Sequence, residues 1–92
     1  MTRDEILKNA LQHYGANSQR IVAIEEMSEL TKELCKVSRG EENAAHIAEE
    51  IADVRIMLDQ MEILFDCRKQ VELMESEKLE RLLKRMKIYG KI

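Results

Sequence analysis

The run Glu25-Glu26-Met27-Ser28-Glu29 places three carboxylates in five residues, and Glu49-Glu50-Ile51-Ala52-Asp53 does so again. Carboxylates are hard oxygen donors, so a convergent set of them suits a divalent cation such as Mg²⁺ or Mn²⁺ rather than zinc or copper. An isolated acidic run is more often a solvated helix face whose acids pair with lysines one turn away. The direction in which the acids point decides between the two.

At about 100° per residue and with Glu26 at zero, Ala23, Met27, Leu30, Leu34 and Val37 fall between roughly 20° and 100°, the expected core arc. Glu25, Ser28, Lys32, Lys36 and Arg39 fall between roughly 200° and 280° and face water. Glu26, Glu29 and Glu33 lie between roughly 300° and 0°, on the shoulder of the core. With Glu50 at zero, Ile47, Ile51, Val54, Leu58, Met61 and Phe65 occupy the core arc, Glu49 points outward, and Asp53 lies near 300°. Glu50 and Asp53 therefore have the same offsets from the core as Glu26 and Glu29. If the two segments form a helical hairpin, Glu29 comes level with Asp53 and Glu33 with Glu50, within about a turn.

Like charges that meet at the edge of a low-dielectric core must take up protons or recruit cations. A structural alternative gives each acid a lysine from its own or a neighbouring helix. The matched offsets, with Lys32 and Lys36 expected on the outer face, favour a metal site. A di-iron bundle would need Glu-x-x-His on two helices, which neither His13 nor His46 supplies. Cys35 and Cys67 are widely spaced, without partners at zinc spacing, and read as buried or half-buried thiols.

Four helices must position these groups. Thr2 and Glu5 have capping-box spacing, and a first helix is expected over residues 3–14, ended by Gly15. Asn17 or Ser18 is expected to cap a second, whose apolar pattern of Ile21, Ile24, Met27, Leu30, Leu34 and Val37 stops at Arg39-Gly40. After the turn, Asn43 is expected to cap a third helix that runs to Phe65, and Asp66 to open a fourth that ends near Gly90. Short connections imply antiparallel neighbours in a four-helix bundle. Along the last helix, Lys78, Arg81 and Arg85 form a basic stripe on the core shoulder. It is either a counter-charge for the acids or a grip for a polyphosphate, the equipment that Mg²⁺ and Lys/Arg supply for phosphoryl chemistry.

The bulk numbers agree with one all-α domain over residues 1–92: no Pro, three Gly, six Met, one Phe and no Trp. A chain of this size gains stability from association, and Ala45, Ile56 and Ile63 form a second apolar stripe suited to a subunit interface. The net charge of −3, from 15 basic and 18 acidic residues, offers no global field for nucleic acid or an anionic membrane. With neither a membrane-length apolar run nor a signal-peptide pattern at the N-terminus, a cytoplasmic protein is expected.

The paired acidic runs resemble the Glu-Glu-x-x-Glu and Glu-x-x-Asp signature of the all-α NTP pyrophosphatase superfamily, the MazG-like proteins, over roughly Ser18 to Arg85. Relatives in that superfamily include dimeric dUTP pyrophosphatases and phosphoribosyl-ATP pyrophosphohydrolase. The resemblance implies a four-helix homodimer or homotetramer that cleaves a nucleoside triphosphate between the α and β phosphates with Mg²⁺. It carries the metal-ligand and catalytic roles onto Glu26, Glu29, Glu50 and Asp53, and phosphate contacts onto Lys78 and Arg85, with Arg81 beside them. Leu82 stands where the family pattern has Asn. A dUTP or phosphoribosyl-ATP specialist and a non-catalytic helical interaction module are the alternative expectations. Asn9, Gln12, His13, Tyr14 and Gln19, near the N-terminal turn, could reach a nucleobase or serve only as surface and capping groups.

Overall fold

Thr2 opens the chain's first helix with the expected reciprocal cap: Glu5 N–H donates to Thr2 Oγ1 (3.1 Å) and Thr2 N–H to Glu5 Oε2 (3.4 Å). A computed structural model describes residues 1–88 and Gly90. Among the described residues the elements are α1 (Arg3–Tyr14), α2 (Ala16–Ser38), α3 (Ala44–Leu64) and α4 (Arg68–Ile88), with no strand. No helix among them is long and apolar enough to cross a membrane.

The boundaries follow local chemistry. Gly15, at φ 90°, makes a corner so tight that α2 begins at Ala16, one residue before the expected caps. Asn17 instead accepts from Arg20 Nη2 at 3.0 Å inside the first turn. At the other end of α2, Gly40 (φ 87°) donates to Val37 O at 2.9 Å and Glu41 to Lys36 O at 3.1 Å, the two bonds of a Schellman stop. The end of α3 repeats the motif without glycine. Asp66, at φ 49°, donates to Ile63 O (3.2 Å), and Cys67 donates to Glu62 O (3.1 Å). Asp66 thus closes α3 instead of opening α4, a role open to Asp because its short polar side chain tolerates the left-handed region better than most.

α2 and α3 form an antiparallel hairpin. Glu33 near the end of α2 meets Asn43 at the start of α3, and Glu26, about two turns back, meets Glu50 and Asp53 about two turns forward. α1 lies across the far end of the hairpin, with Leu7 buried and Gln60 Nε2 donating to Leu7 O at 3.3 Å. Arg3 pairs with Asp59 (2.7 Å), and Arg68 pairs with Asp4 through two bonds (2.8 and 3.2 Å), so the start of α1 is tied to both α3 and α4.

The buried face differs from the expected core arc. On α2 the buried and half-buried positions include Gln19, Val22, Ala23, Glu26, Leu30 and Glu33; on α3 they include Ile47, Glu50, Val54, Met57 and Gln60. Glu26, Glu33, Glu50 and Asp53 therefore lie in the α2–α3 seam, not on its shoulder, while Glu29 stays exposed. Met27, Leu34, Leu58 and Phe65, expected in the core, stay 42%, 50%, 45% and 59% exposed. Each hairpin helix carries more apolar circumference than one neighbour can cover, and α4 does not cover the excess. It packs against α3 alone apart from the Arg68–Asp4 pair. The radius of gyration, 16.5 Å, exceeds the roughly 12 Å of a compact chain of this length.

Candidate metal centre

Glu26 comes from α2, and Glu50 and Asp53 from successive turns of one face of α3. One carboxylate oxygen from each lies within 4.8 Å of the others, and all three side chains are half-buried. The spacing works because residues three apart on a helix share a face, and the hairpin brings the matching face of α2 level with it.

The electrostatics are uncompensated. Burial pushes the Glu26 carboxyl above its ordinary range, and the charges of Asp53, Glu50 and Glu29 push in the same direction. Glu50 is raised first by burial and then by Asp53, Glu29, Glu49 and Glu33. The ion pairs among the described residues are Arg3–Asp59, Glu33 with Lys36 and His46, Arg39–Glu41, and Arg68 with Asp4 and Glu62; none reaches the trio. Glu50 Oε2 is buried and has no hydrogen-bond partner. Such an atom is costly unless a proton or a cation meets it. The donor set is all carboxylate oxygen, without imidazole or thiolate, and it fits Mg²⁺ or Mn²⁺.

The other sequence-derived acids divide. Glu29 is exposed on α2 one turn from Glu26; it adds repulsion to Glu26 and Glu50 but lies outside the close trio. Glu33 follows the structural alternative. Lys36, expected on the outer face, reaches Glu33 Oε1 at 3.0 Å, and Asn43 Nδ2 donates to Glu33 O (3.1 Å) and Glu33 Oε2. His46 Nδ1 lies 4.0 Å from Oε2. The Lys36 and Asn43 hydrogen bonds hold the Glu33 carboxyl below its ordinary range. One acid of the row is neutralised, and the next two turns are left bare.

Lys78, Arg81 and Arg85, joined by Lys84, line a shallow groove on α4 away from the acids. Within one chain the fold does not bring the basic stripe to the carboxylates. Among the groups considered for base recognition, Gln19 is buried, while Asn9, Gln12, His13 and Tyr14 are exposed and line a shallow surface depression. Cys35 is an exposed free thiol on α2, and Cys67 a half-buried one in the α3–α4 turn.

Two polar anchors were not legible in the sequence. Gln60, 1% exposed, holds α1 by its backbone, and Arg68 ties α4 to α1. Their partners lie more than fifty residues away, so no local pattern announces them. Comparison with protein-family models, characterised proteins and solved structures gives no match to this chain.

Proposed function

We propose that this chain is a Mg²⁺-dependent nucleoside triphosphate pyrophosphohydrolase of the MazG-like type, which cleaves an NTP or dNTP between the α and β phosphates to give the monophosphate and pyrophosphate. One observation carries the reading: Glu26, Glu50 and Asp53 converge from two antiparallel helices, and among the described residues no Lys or Arg forms an ion pair with them. The motif resemblance over Glu25–Glu29 and Glu49–Asp53 supports it, as does the unpartnered Glu50 Oε2.

In this reading Glu26, Glu50 and Asp53 hold the metal, with Glu29 at the rim. When bound, Mg²⁺ supplies charge neutralisation for the phosphate oxygens and acidifies a water. Water attacks the α-phosphorus, the bond to the α–β bridging oxygen breaks, and pyrophosphate leaves. A carboxylate of the cluster would accept the proton of the attacking water. Lys78, Arg81 and Arg85 contact the polyphosphate. The exposed apolar faces of α2, α3 and α4 support a homodimer or homotetramer, and the protein works in the cytoplasm without nucleic-acid or membrane partners.

The test is pyrophosphate release across a nucleotide panel that includes dUTP and phosphoribosyl-ATP, with and without Mg²⁺. Release that needs Mg²⁺ and disappears in Glu50→Gln and Asp53→Asn is expected. The exposed apolar faces also favour a second reading, a non-catalytic helical interaction module. It predicts no release from any nucleotide and no Mg²⁺-dependent change in melting temperature.

A further inference from the structure

Of Glu26, Glu29, Glu33, Glu50 and Asp53, Glu33 alone forms ion pairs among the described residues. Asn43 is central to that exception. An asparagine just before a helix ordinarily caps it. Asn43 makes no cap bond to α3, and its Oδ1 is buried without a partner. Its amide is turned across the seam instead, where Nδ2 donates to the Glu33 carbonyl (3.1 Å) and to the Glu33 carboxylate. Lys36 Nζ donates to the other carboxylate oxygen at 3.0 Å. Apart from His46 Nδ1, 4.0 Å from Glu33 Oε2, Asn43 makes the only polar ties between α2 and α3 among the described residues. A side chain that leaves its local use in this way is expected where a site requires it.

Released from Asn43, Glu33 has a place in the cluster. It follows Glu26 about two turns along the same face of α2 and is buried in the seam beside it. Its charge acts on Glu50, whose Oε2 is buried and unpartnered. The number of carboxylates bears on the choice of cation. Mg²⁺ is small, demands octahedral geometry and keeps waters and substrate phosphates beside few carboxylates, whereas Ca²⁺ takes a larger and more flexible set of oxygens. We propose that Asn43 is a positioning residue for the metal centre: with Lys36 it holds Glu33 away from Glu26, Glu50 and Asp53, so that the site keeps three carboxylates and selects Mg²⁺ over Ca²⁺. The inference rests on the metal reading of the trio and names what sets its choice of ion.

Isothermal titration calorimetry with Mg²⁺ and with Ca²⁺ tests this without any substrate. The quantity read is the ratio of the two dissociation constants in wild type, Asn43→Ala, Asn43→Ser, Asn43→Ser/Glu33→Gln and Arg68→Ala. Alanine and serine both lose the reach to Glu33, and serine also supplies α3 with an ordinary cap, so the fold survives in that variant even if the alanine variant unfolds. Arg68→Ala removes the ties of α4 to Asp4 and Glu62 and is the control for lost stability alone. Wild type should prefer Mg²⁺. Both Asn43 variants should shift the ratio toward Ca²⁺ by on the order of tenfold, as an added carboxylate does in oxygen-ligand sites. Glu33→Gln in the serine background should return it to the wild-type value, and Arg68→Ala should lower the melting temperature with the ratio unmoved. A ratio that stays at the wild-type value in Asn43→Ser, that moves equally in Arg68→Ala, or that stays shifted after Glu33→Gln overturns the proposal. Wild type that binds neither cation overturns the metal reading and this assignment together, whereas Mg²⁺ binding with a ratio indifferent to Asn43 overturns the assignment alone.

Discussion

Asn43, the residue before α3, donates through Nδ2 to both the backbone carbonyl and the carboxylate of Glu33 near the end of α2. It was expected to cap its own helix, yet no side-chain cap bond forms, and it clamps the hairpin instead. The register of the hairpin depends on this clamp, and with it the height at which Glu26 meets Glu50 and Asp53.

Asn43→Ala should therefore destabilise the fold. The bond from the amide to the backbone carbonyl alone is worth about 1 kcal/mol. Asn43→Asp should cost more, because it sets a like charge against Glu33. Urea denaturation of the two variants beside wild type checks the order.

Stability without metal should be greatest at mildly acidic pH. Glu26 and Glu50 are raised in the folded state, first by burial and then by neighbouring acids, so the fold favours their protonated forms. Their contribution is fully present below the ordinary carboxylate value and is lost as pH rises through the folded values. Glu33 and Asp4 are lowered, by the Lys36 bond and by the Arg68 bond respectively, so their contribution is present above the ordinary value and is lost as pH falls through the folded values. Melting curves in EDTA between about pH 3 and about pH 8, a range that brackets carboxylate titration, should show a maximum between the two losses. A melting temperature that rises steadily to neutral pH would count against this balance.

Mg²⁺ should remove the neutral-pH penalty. At about a hundredfold excess over its dissociation constant, a ligand that binds only the native state adds roughly 2.7 kcal/mol. Glu50→Gln should raise the metal-free melting temperature at neutral pH and abolish the Mg²⁺ response together with pyrophosphate release. Scanning calorimetry of wild type and variant, with and without Mg²⁺, measures both effects.

Asp66 should accept glycine and reject a β-branched residue. Its φ of 49° lies in a region that costs an ordinary L-residue about 1–2 kcal/mol. Asp66→Gly should be neutral or slightly stabilising, whereas Asp66→Val should lose stability by about that amount. Chemical denaturation of the pair distinguishes a Schellman closure from a simple linker.

Much of the local structure was legible in the residues. Thr2 and Glu5 announced the first cap, and Gly15 and Gly40 marked two helix ends, because capping and left-handed φ are properties of a few neighbouring residues. That the two acidic runs face each other was legible from equal offsets on two helices joined by a short turn, but the expected register set Glu29 level with Asp53 and Glu33 with Glu50, whereas Glu26 meets Glu50 and Asp53, and Glu33 meets Asn43. The end of α3 lies within a residue of its expected place at Phe65, but Asp66 closes that helix instead of opening the next, since Asp serves both as a helix opener and as a left-handed stop.

The sequence by itself determined four amphipathic helices and two matched acidic faces, since helical periodicity follows from chain geometry alone. Only the tertiary structure decided which arc each helix buries, that Glu33 is neutralised by Lys36 and Asn43 while Glu50 is left bare, and that α4 stands away from the trio. Those outcomes depend on which apolar face finds a neighbour and which charge finds a partner, and both are settled by contacts between segments far apart in the chain.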